Sequence, residues 1–402
     1  MSKKIIIVSA GMNGFETMIP AGIKAVKECD ELIGARRITD LFKSLGKTGF
    51  ISYNSIEITE HIKNSSSENI VVLMSGDCGF YSGAEQLLSH LENYETEIIC
   101  GISSPMYLCS KLKIPWQDMK FISLHGKENN IVRHVCRNKQ TFFLLGGRVM
   151  PKEICERLCE YDLSNLTVHI GENLGSEEER ISSSFAENFT NFETSSLCVM
   201  IVENENFEKE QISCIPDERF IREKIPMTKA EVRCVCVSKL AVSESDICWD
   251  IGGGTGSVSV ELAMKCVSGK VYCVEKNPEA VKLIEKNRRF FRCDNIEIIC
   301  GQGENIVEEL PMPNCVFIGG SGGTLKKIIK TAYFKNHNVK IIITAVTLDT
   351  LYESISAFEE LSIFPEITQI GITRTNKVGK YNMMRAENPI FIISRGADTQ
   401  NE

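Results

Sequence analysis

Cys248-Trp249-Asp250-Ile251-Gly252-Gly253-Gly254-Thr255-Gly256-Ser257-Val258-Ser259-Val260-Glu261-Leu262 reads as an apolar strand, a glycine-rich turn and the opening of a helix. Glycines at such a turn permit positive φ and let a ligand approach the backbone. The unpaired N–H groups of the helix start then face whatever occupies the crevice. A dinucleotide and S-adenosylmethionine both suit a loop of this kind. The spacing Gly-Gly-Gly-Thr-Gly departs from the Gly-x-Gly-x-x-Gly of a dinucleotide fold.

The next segments extend the pattern. Lys270 to Glu275 predicts a second strand closing on an acid. Its place, about 20 residues after the loop, is where a carboxylate accepts both hydroxyls of a ribose. Ile296 to Cys300 predicts a third strand, followed by Gly301-Gln302-Gly303-Glu304, beside which an adenine would lie. Three consecutive strand ends aimed at one nucleoside point to a methyltransferase of the Rossmann-like class. A fourth strand, Cys315 to Ile318, runs into Gly319-Gly320-Ser321-Gly322-Gly323, and a fifth spans Lys340 to Ala345. Ile367 to Ile372 and Pro389 to Ser394 complete seven strands, the last two antiparallel and joined by the polar run Thr373 to Glu387. Thr228-Lys229-Ala230-Glu231 has the pattern of a capping box opening a helix through Leu240. The loop after the fourth strand carries neither a nucleophile nor an amine-gripping aromatic, which argues against methylation of a nucleic-acid base. Its glycines fit close packing against a large flat acceptor, or a tight strand–helix turn.

The N-terminal half also alternates apolar strands with helices, the signature of a parallel sheet covered on both faces. Ile5 to Ser9, Leu32 to Ala35 and Ile70 to Ser75 are its first strands. The third enters Gly76-Asp77-Cys78-Gly79-Phe80-Tyr81, and Glu97 to Cys100 enters Gly101-Ile102-Ser103-Ser104-Pro105. Beyond Pro151, strand-like segments crowd together at Leu166 to Gly171, Arg180 to Phe185 and Leu197 to Val202. They suggest a second, partly antiparallel sheet, and so two lobes. The polar run Glu203 to Glu210 marks the linker region.

A chain of 402 residues exceeds one typical domain. The expected division is 1–205 and 214–402 with a linker at 206–213. A net charge of −8 offers no basic field for nucleic acid. The 17 cysteines lie scattered among valines and isoleucines without a Cys-x-x-Cys, so buried reduced thiols are expected and a bound metal is not. No run approaches the roughly 18 apolar residues of a membrane span, and Met1 to Val8 reads as a first strand, not a leader. A cytoplasmic protein, without membrane or nucleic-acid partners, is expected.

Particular residues carry resemblances to known families. Trp249 to Glu261, Val274-Glu275-Lys276-Asn277-Pro278-Glu279-Ala280, Val316 to Gly323 and Asn388-Pro389 resemble the decarboxylating (cobalt-)precorrin C-15 methyltransferases of cobalamin synthesis. That similarity runs from about Ile212 to Arg395. The N-terminal half independently resembles the tetrapyrrole methylases, specifically the precorrin C-5 methyltransferases. It does so through Gly76-Asp77 with Phe80-Tyr81, Gly101 to Ser104, Trp116, Ser123-Leu124-His125-Gly126 and Glu172-Asn173-Leu174-Gly175 with Glu179-Arg180-Ile181. Departures are Gly11-Met12-Asn13-Gly14 for the family's Gly-Pro-Gly, Cys78 for the proline of Gly-Asp-Pro, and Gly301-Gln302-Gly303 for Gly-Asp-Ala.

The two resemblances imply an α/β fold: a two-lobed tetrapyrrole methylase domain, then a Rossmann-like class I domain with a seven-stranded, mostly parallel sheet. They imply two S-adenosylmethionine sites, a tetrapyrrole acceptor and a homo-oligomer. In the C-terminal half the cofactor residues implied are Thr228, Gly252, Gly253, Gly254, Thr255, Gly256, Glu275, Gln302 and Gly303. In the N-terminal half they are Asp77, Tyr81, Ser103 and Ser104. Gly319, Gly320, Ser321, Gly322, Arg374 and Arg385 are expected on the acceptor side, with Arg36, Arg37, Arg148 and Lys377 as further cations for its carboxylates. The acceptor is an enamine-like carbon nucleophile, so no acid–base residue is singled out and placement dominates.

Overall fold

Strands made of near-continuous Val, Ile and Leu must be covered on both faces, and each unit of the chain does so. The structure is a computed structural model that describes residues 3–126, 129–147, 149–209, 214–320 and 323–396. One unit comprises 1–128, 139–156 and 164–204; the other comprises 129–138, 157–163 and 205–402. Residues 210–213 of the expected linker lie outside the described residues.

The first unit holds two five-stranded sheets. β1 (Lys4–Ser9), β2 (Glu31–Gly34), β3 (Thr48–Ile51), β4 (Asn69–Met74) and β5 (Glu95–Ile99) pair in the order β3-β2-β4-β1-β5, all parallel. β6 (Lys120–Ser123), β7 (Gln140–Leu144), β8 (Thr167–Glu172), β9 (Arg180–Phe185) and β10 (Cys198–Glu203) form the second, ordered β6-β7-β10-β8-β9. Only its β6–β7 pair is parallel, which agrees with the antiparallel character expected after Pro151.

The second unit is built on seven strands: β11 (Ile247–Ile251), β12 (Lys270–Glu275), β13 (Ile296–Cys300), β14 (Cys315–Ile318), β15 (Lys340–Ala345), β16 (Glu366–Ile370) and β19 (Ile390–Arg395). Their order is β13-β12-β11-β14-β15-β19-β16. The first five are parallel, and β19 runs antiparallel to both neighbours. One face packs on helices 230–240 and 257–265 through Val232, Cys236 and Leu262, the other on helices 325–335 and 348–359 through Ile328, Ile329 and Phe358. Trp249 is wholly buried, and its indole N–H donates to the Pro311 carbonyl at 3.1 Å.

The polar connection between β16 and β19 is not a plain loop. It folds as a two-stranded ribbon, β17 (Thr373–Val378) with β18 (Tyr381–Ala386). None of the seventeen cysteines is in a disulfide and most are buried; burial pushes the Cys109 thiol up to about 11 and Cys236 to about 12. Among the described residues no helix is long and apolar enough to cross a membrane.

Candidate functional site

In the seven-stranded sheet the chain reverses its direction of growth between β11 and β14, the place where open α/β sheets bind ligands beyond their strand ends. A cavity of about 570 Å³ lies there. Its wall contains Gly252, Gly253, Gly254 and Thr255 from the first turn, Glu275 from the end of β12, Gln302 and Gly303 after β13, and Gly319 and Gly320 after β14. Thr228 and Met227 close another side.

The glycines have distinct physical reasons. Gly252 sits at φ +81°, and a Cβ there would stand 2.5 Å from the Gly320 carbonyl oxygen, so the turns after β11 and β14 pack backbone to backbone. Gly256, expected against the cofactor, is not part of the wall. It stands at the N-cap of the helix 257–265 in the left-handed region at φ +78°, pressed on Ile284, and so serves the turn's backbone geometry. At Gly320 a Cβ would meet nothing, so that residue leaves the wall open.

Glu275 fixes the loop. Its Oε2 accepts from the Gly254 N–H at 2.9 Å and its Oε1 from the Asn277 N–H at 2.9 Å. Each carboxylate oxygen retains a second lone pair for a hydroxyl donor. Asn287, fully buried, holds the turn from beneath by donating to the carbonyls of Thr255 and Ile221, each at 2.8 Å.

Thr228 lines the cavity, but the capping box expected there does not form. The helix begins at Ala230 behind Lys229, with no side-chain cap. The Thr228 carbonyl instead accepts from Arg233 Nη1 at 2.6 Å, which turns the segment toward the cavity. Arg374 is drawn away from the acceptor role expected of it: it lies on the ribbon, 2.5 Å from Glu231 and 3.8 Å from Glu387. Arg385 stands opposite it on β18, exposed, and neither arginine lines the cavity. Ser321, Gly322 and Arg148 lie outside the described residues.

Two residues of this unit escape a reading of the sequence. Asp250, the penultimate residue of β11, is buried on the cavity wall; Ser259 Oγ donates to its Oδ2, while Oδ1 has no partner. Burial raises its pKa from 3.8 to about 6, against the opposing Ser259 hydrogen bond. The folded state therefore binds this proton more tightly than the unfolded chain. Stability contributed by the neutral form is complete below about pH 4 and lost as pH rises through about 6. Asp250→Asn, which stays neutral, should gain up to roughly 3 kcal/mol over the parent above pH 7 and nothing at pH 4. Urea denaturation at the two pH values measures this. Arg233 is the second: wholly buried, it pairs with Glu261 and Asp217.

The first unit has its own cavity of about 320 Å³, whose wall brings together Asp77, Tyr81, Ser103 and Ser104, with Arg37 and His125. Asp77 accepts from the N–H groups of Gly79 at 2.8 Å and Gly101 at 2.7 Å, tying the ends of β4 and β5 together. Gly101 permits that closeness, since its Cβ would stand 2.5 Å from the Ser9 Cβ. Ser103 occupies the N-cap position of helix 104–112 but makes no side-chain cap. Cys78 has an N–H that proline would lack, and donates it to Ser9 Oγ at 2.9 Å.

The fold is α/β, and each unit has a cavity at the carboxyl ends of its parallel strands. Residues 219–395 match the model of the precorrin methyltransferase domain, and residues 4–189 that of the tetrapyrrole (corrin/porphyrin) methylases. A relative from Pyrobaculum calidifontis is 40% identical over 45% of this chain and 94% of its own length. One from Saccharolobus solfataricus is 38% identical over 45% and 94%. Both carry the name probable cobalt-precorrin-6B C(15)-methyltransferase (decarboxylating). A crystal structure named precorrin-6y C5,15-methyltransferase, from Geobacter metallireducens, is 34% identical over 45% of this chain and 94% of its own, with a TM-score of 0.43. The chain belongs to the precorrin methyltransferase family.

Proposed function

We propose that the chain is a bifunctional S-adenosylmethionine-dependent methyltransferase of corrin synthesis. It methylates C-5 and C-15 of (cobalt-)precorrin-6B and releases the ring C acetate carboxyl as carbon dioxide, giving (cobalt-)precorrin-8. The first unit, a two-lobed tetrapyrrole methylase domain, carries the C-5 transfer. The second, a Rossmann-like class I domain, carries the C-15 transfer and the decarboxylation. The observation that carries this reading is the 40% identity across 94% of a decarboxylating C(15)-methyltransferase.

The residues present fit a methyl donor in the second unit. Asp250 Oδ1 and Thr255 Oγ1 are buried polar atoms without partners on the cavity wall, and such atoms call for a ligand or water. In this reading Glu275 holds the ribose hydroxyls, Gln302 and Gly303 flank the adenine, and Gly252 to Thr255 pack the remainder, with Thr228 across the cavity. The bound donor supplies an activated methyl group. The chain holds the acceptor carbon in line with it. Gly319 and Gly320 leave room for a flat acceptor edge. Asp77, Tyr81, Ser103 and Ser104 hold a second donor in the first unit. Neither step calls on a protein-bound metal.

Mass spectrometry of the product from S-adenosylmethionine and precorrin-6B, run beside the cobalt complex, tests this. Two added methyl groups and one lost carbon dioxide are expected. One methyl with carbon dioxide loss would remove the C-5 assignment, and no turnover of either acceptor would overturn the whole reading.

A further inference from the structure

Two adjacent arginines open the helix after β2, and they differ in what they face. Arg37 forms part of the wall of the first unit's cavity with Asp77, Ser103 and Ser104, whereas Arg36 does not. Arg37 Nη2 donates to Ser75 Oγ at 2.8 Å. Ser75 lies between β4 and the Gly76-Asp77 turn, so one hydrogen bond couples the guanidinium's direction to the turn that builds the site. Among the described residues, no carboxylate lies within ion-pair distance of Arg37.

A guanidinium has five N–H donors in a planar fork, and that fork matches a carboxylate bidentately. Here only the bond to Ser75 is made, and the charge faces a cavity. Arg37 is exposed, so water solvates the free charge, and the donors left over from the Ser75 bond stand on the cavity wall for a ligand that brings its own anion. Resting on the function proposed above, in which the acceptor is a polycarboxylate tetrapyrrole, we infer that Arg37 clamps one peripheral carboxylate of the acceptor during the C-5 transfer. It is a positioning residue: it fixes the acceptor and leaves the methyl donor to Asp77, Ser103 and Ser104. Arg36 carries the same charge one residue away and has no such role.

The test uses the full chain with S-adenosylmethionine and precorrin-6B, reading C-5 and C-15 products by mass spectrometry across acceptor concentrations. Arg37→Ala should raise the acceptor KM of the C-5 transfer about ten- to a hundredfold, the range of a lost charge-assisted hydrogen bond. Calorimetric binding of S-adenosylhomocysteine, which also reports that the first unit is folded, should stay at the parent value. The C-15 transfer should be unaffected. Arg37→Lys should recover part of the KM, since it restores charge without the fork, and Arg36→Ala should match the parent. A parent-like acceptor KM in Arg37→Ala would overturn the clamp. So would an equal rise in Arg36→Ala, which would reveal a general surface-charge effect, or a loss confined to donor binding. If the parent itself forms no C-5 product, the proposed function fails and the clamp with it. C-5 product from the parent with Arg37→Ala indifferent overturns the clamp alone.

Discussion

Glu275→Ala should abolish C-15 methylation and carbon dioxide release while C-5 methylation continues. Two effects combine in this variant. The carboxylate accepts the N–H groups of Gly254 and Asn277, and hydrogen bonds to a charged group are worth about 1.5–3 kcal/mol each. Removing it frees the glycine turn, and in the proposed function it also removes the acceptor for both ribose hydroxyls. Together these predict a fall in C-15 kcat/KM of about a thousandfold or more. Glu275→Gln keeps the shape and one good acceptor oxygen, so a smaller loss, seen mainly in the KM for S-adenosylmethionine, is expected. Product masses from one reaction give the answer: precorrin carrying a single new methyl and its full set of carboxyls. Equal loss of both methyl transfers would contradict independent donor sites.

The positions that were legible in the sequence are those where burial imposes a pattern. β11, β12, β13 and β14 are short apolar runs ending in an acid or running into glycine, β15 is a further apolar run, and each lies where that pattern puts it. The ribbon β17–β18 was legible only as a polar connector, because most of its residues are exposed and no alternation of burial marks them. β3 escaped for a related reason: Thr48 to Ile51 is an edge strand of four residues containing a glycine. At the site, glycine spacing located the turn but did not separate roles. Gly252 is required by the approach of Gly320, and Gly256 by a left-handed backbone, while Gly320 itself leaves open space. A charge is harder still to read. Arg374 and Arg233 look alike in a sequence, yet one lies on an exposed ribbon and the other has no exposure at all. Thr228 shows the same limit, since its Thr-x-x-Glu spacing fits a capping box that Glu231, engaged by Arg374, does not complete.

Arg233→Ala should be the most destabilising single change in the second unit. Its Nε donates to Glu261 Oε1 at 2.6 Å and its Nη1 to Asp217 Oδ1 at 3.2 Å. Nη2 donates to the Ile215 carbonyl, Nη1 reaches the Thr228 carbonyl, and the guanidinium lies 4.7 Å from the centre of the Phe220 ring. Glu261 is only 4% exposed. Truncating the arginine strands a buried carboxylate, which costs about 3–5 kcal/mol where one partner of a buried pair is removed. The midpoint of urea unfolding followed by Trp249 fluorescence should fall accordingly. The pair's net worth is a separate matter, because each ion also gave up its hydration. Arg233→Met with Glu261→Gln and Asp217→Asn should therefore recover much of the lost stability. Activity should not return with it. Without the guanidinium the Thr228 carbonyl loses its side-chain donor and the Ile215 end keeps only the bond from its N–H to residue 261, so the wall of the cavity facing the glycine turn loses its main anchor. The triple variant is expected to unfold near the parent's urea midpoint yet to bind S-adenosylhomocysteine at least tenfold more weakly, a difference of about 1.4 kcal/mol. Recovery of stability and binding together would show that Arg233 serves the core alone. Recovery of neither would show that the charges themselves define the packing of this segment.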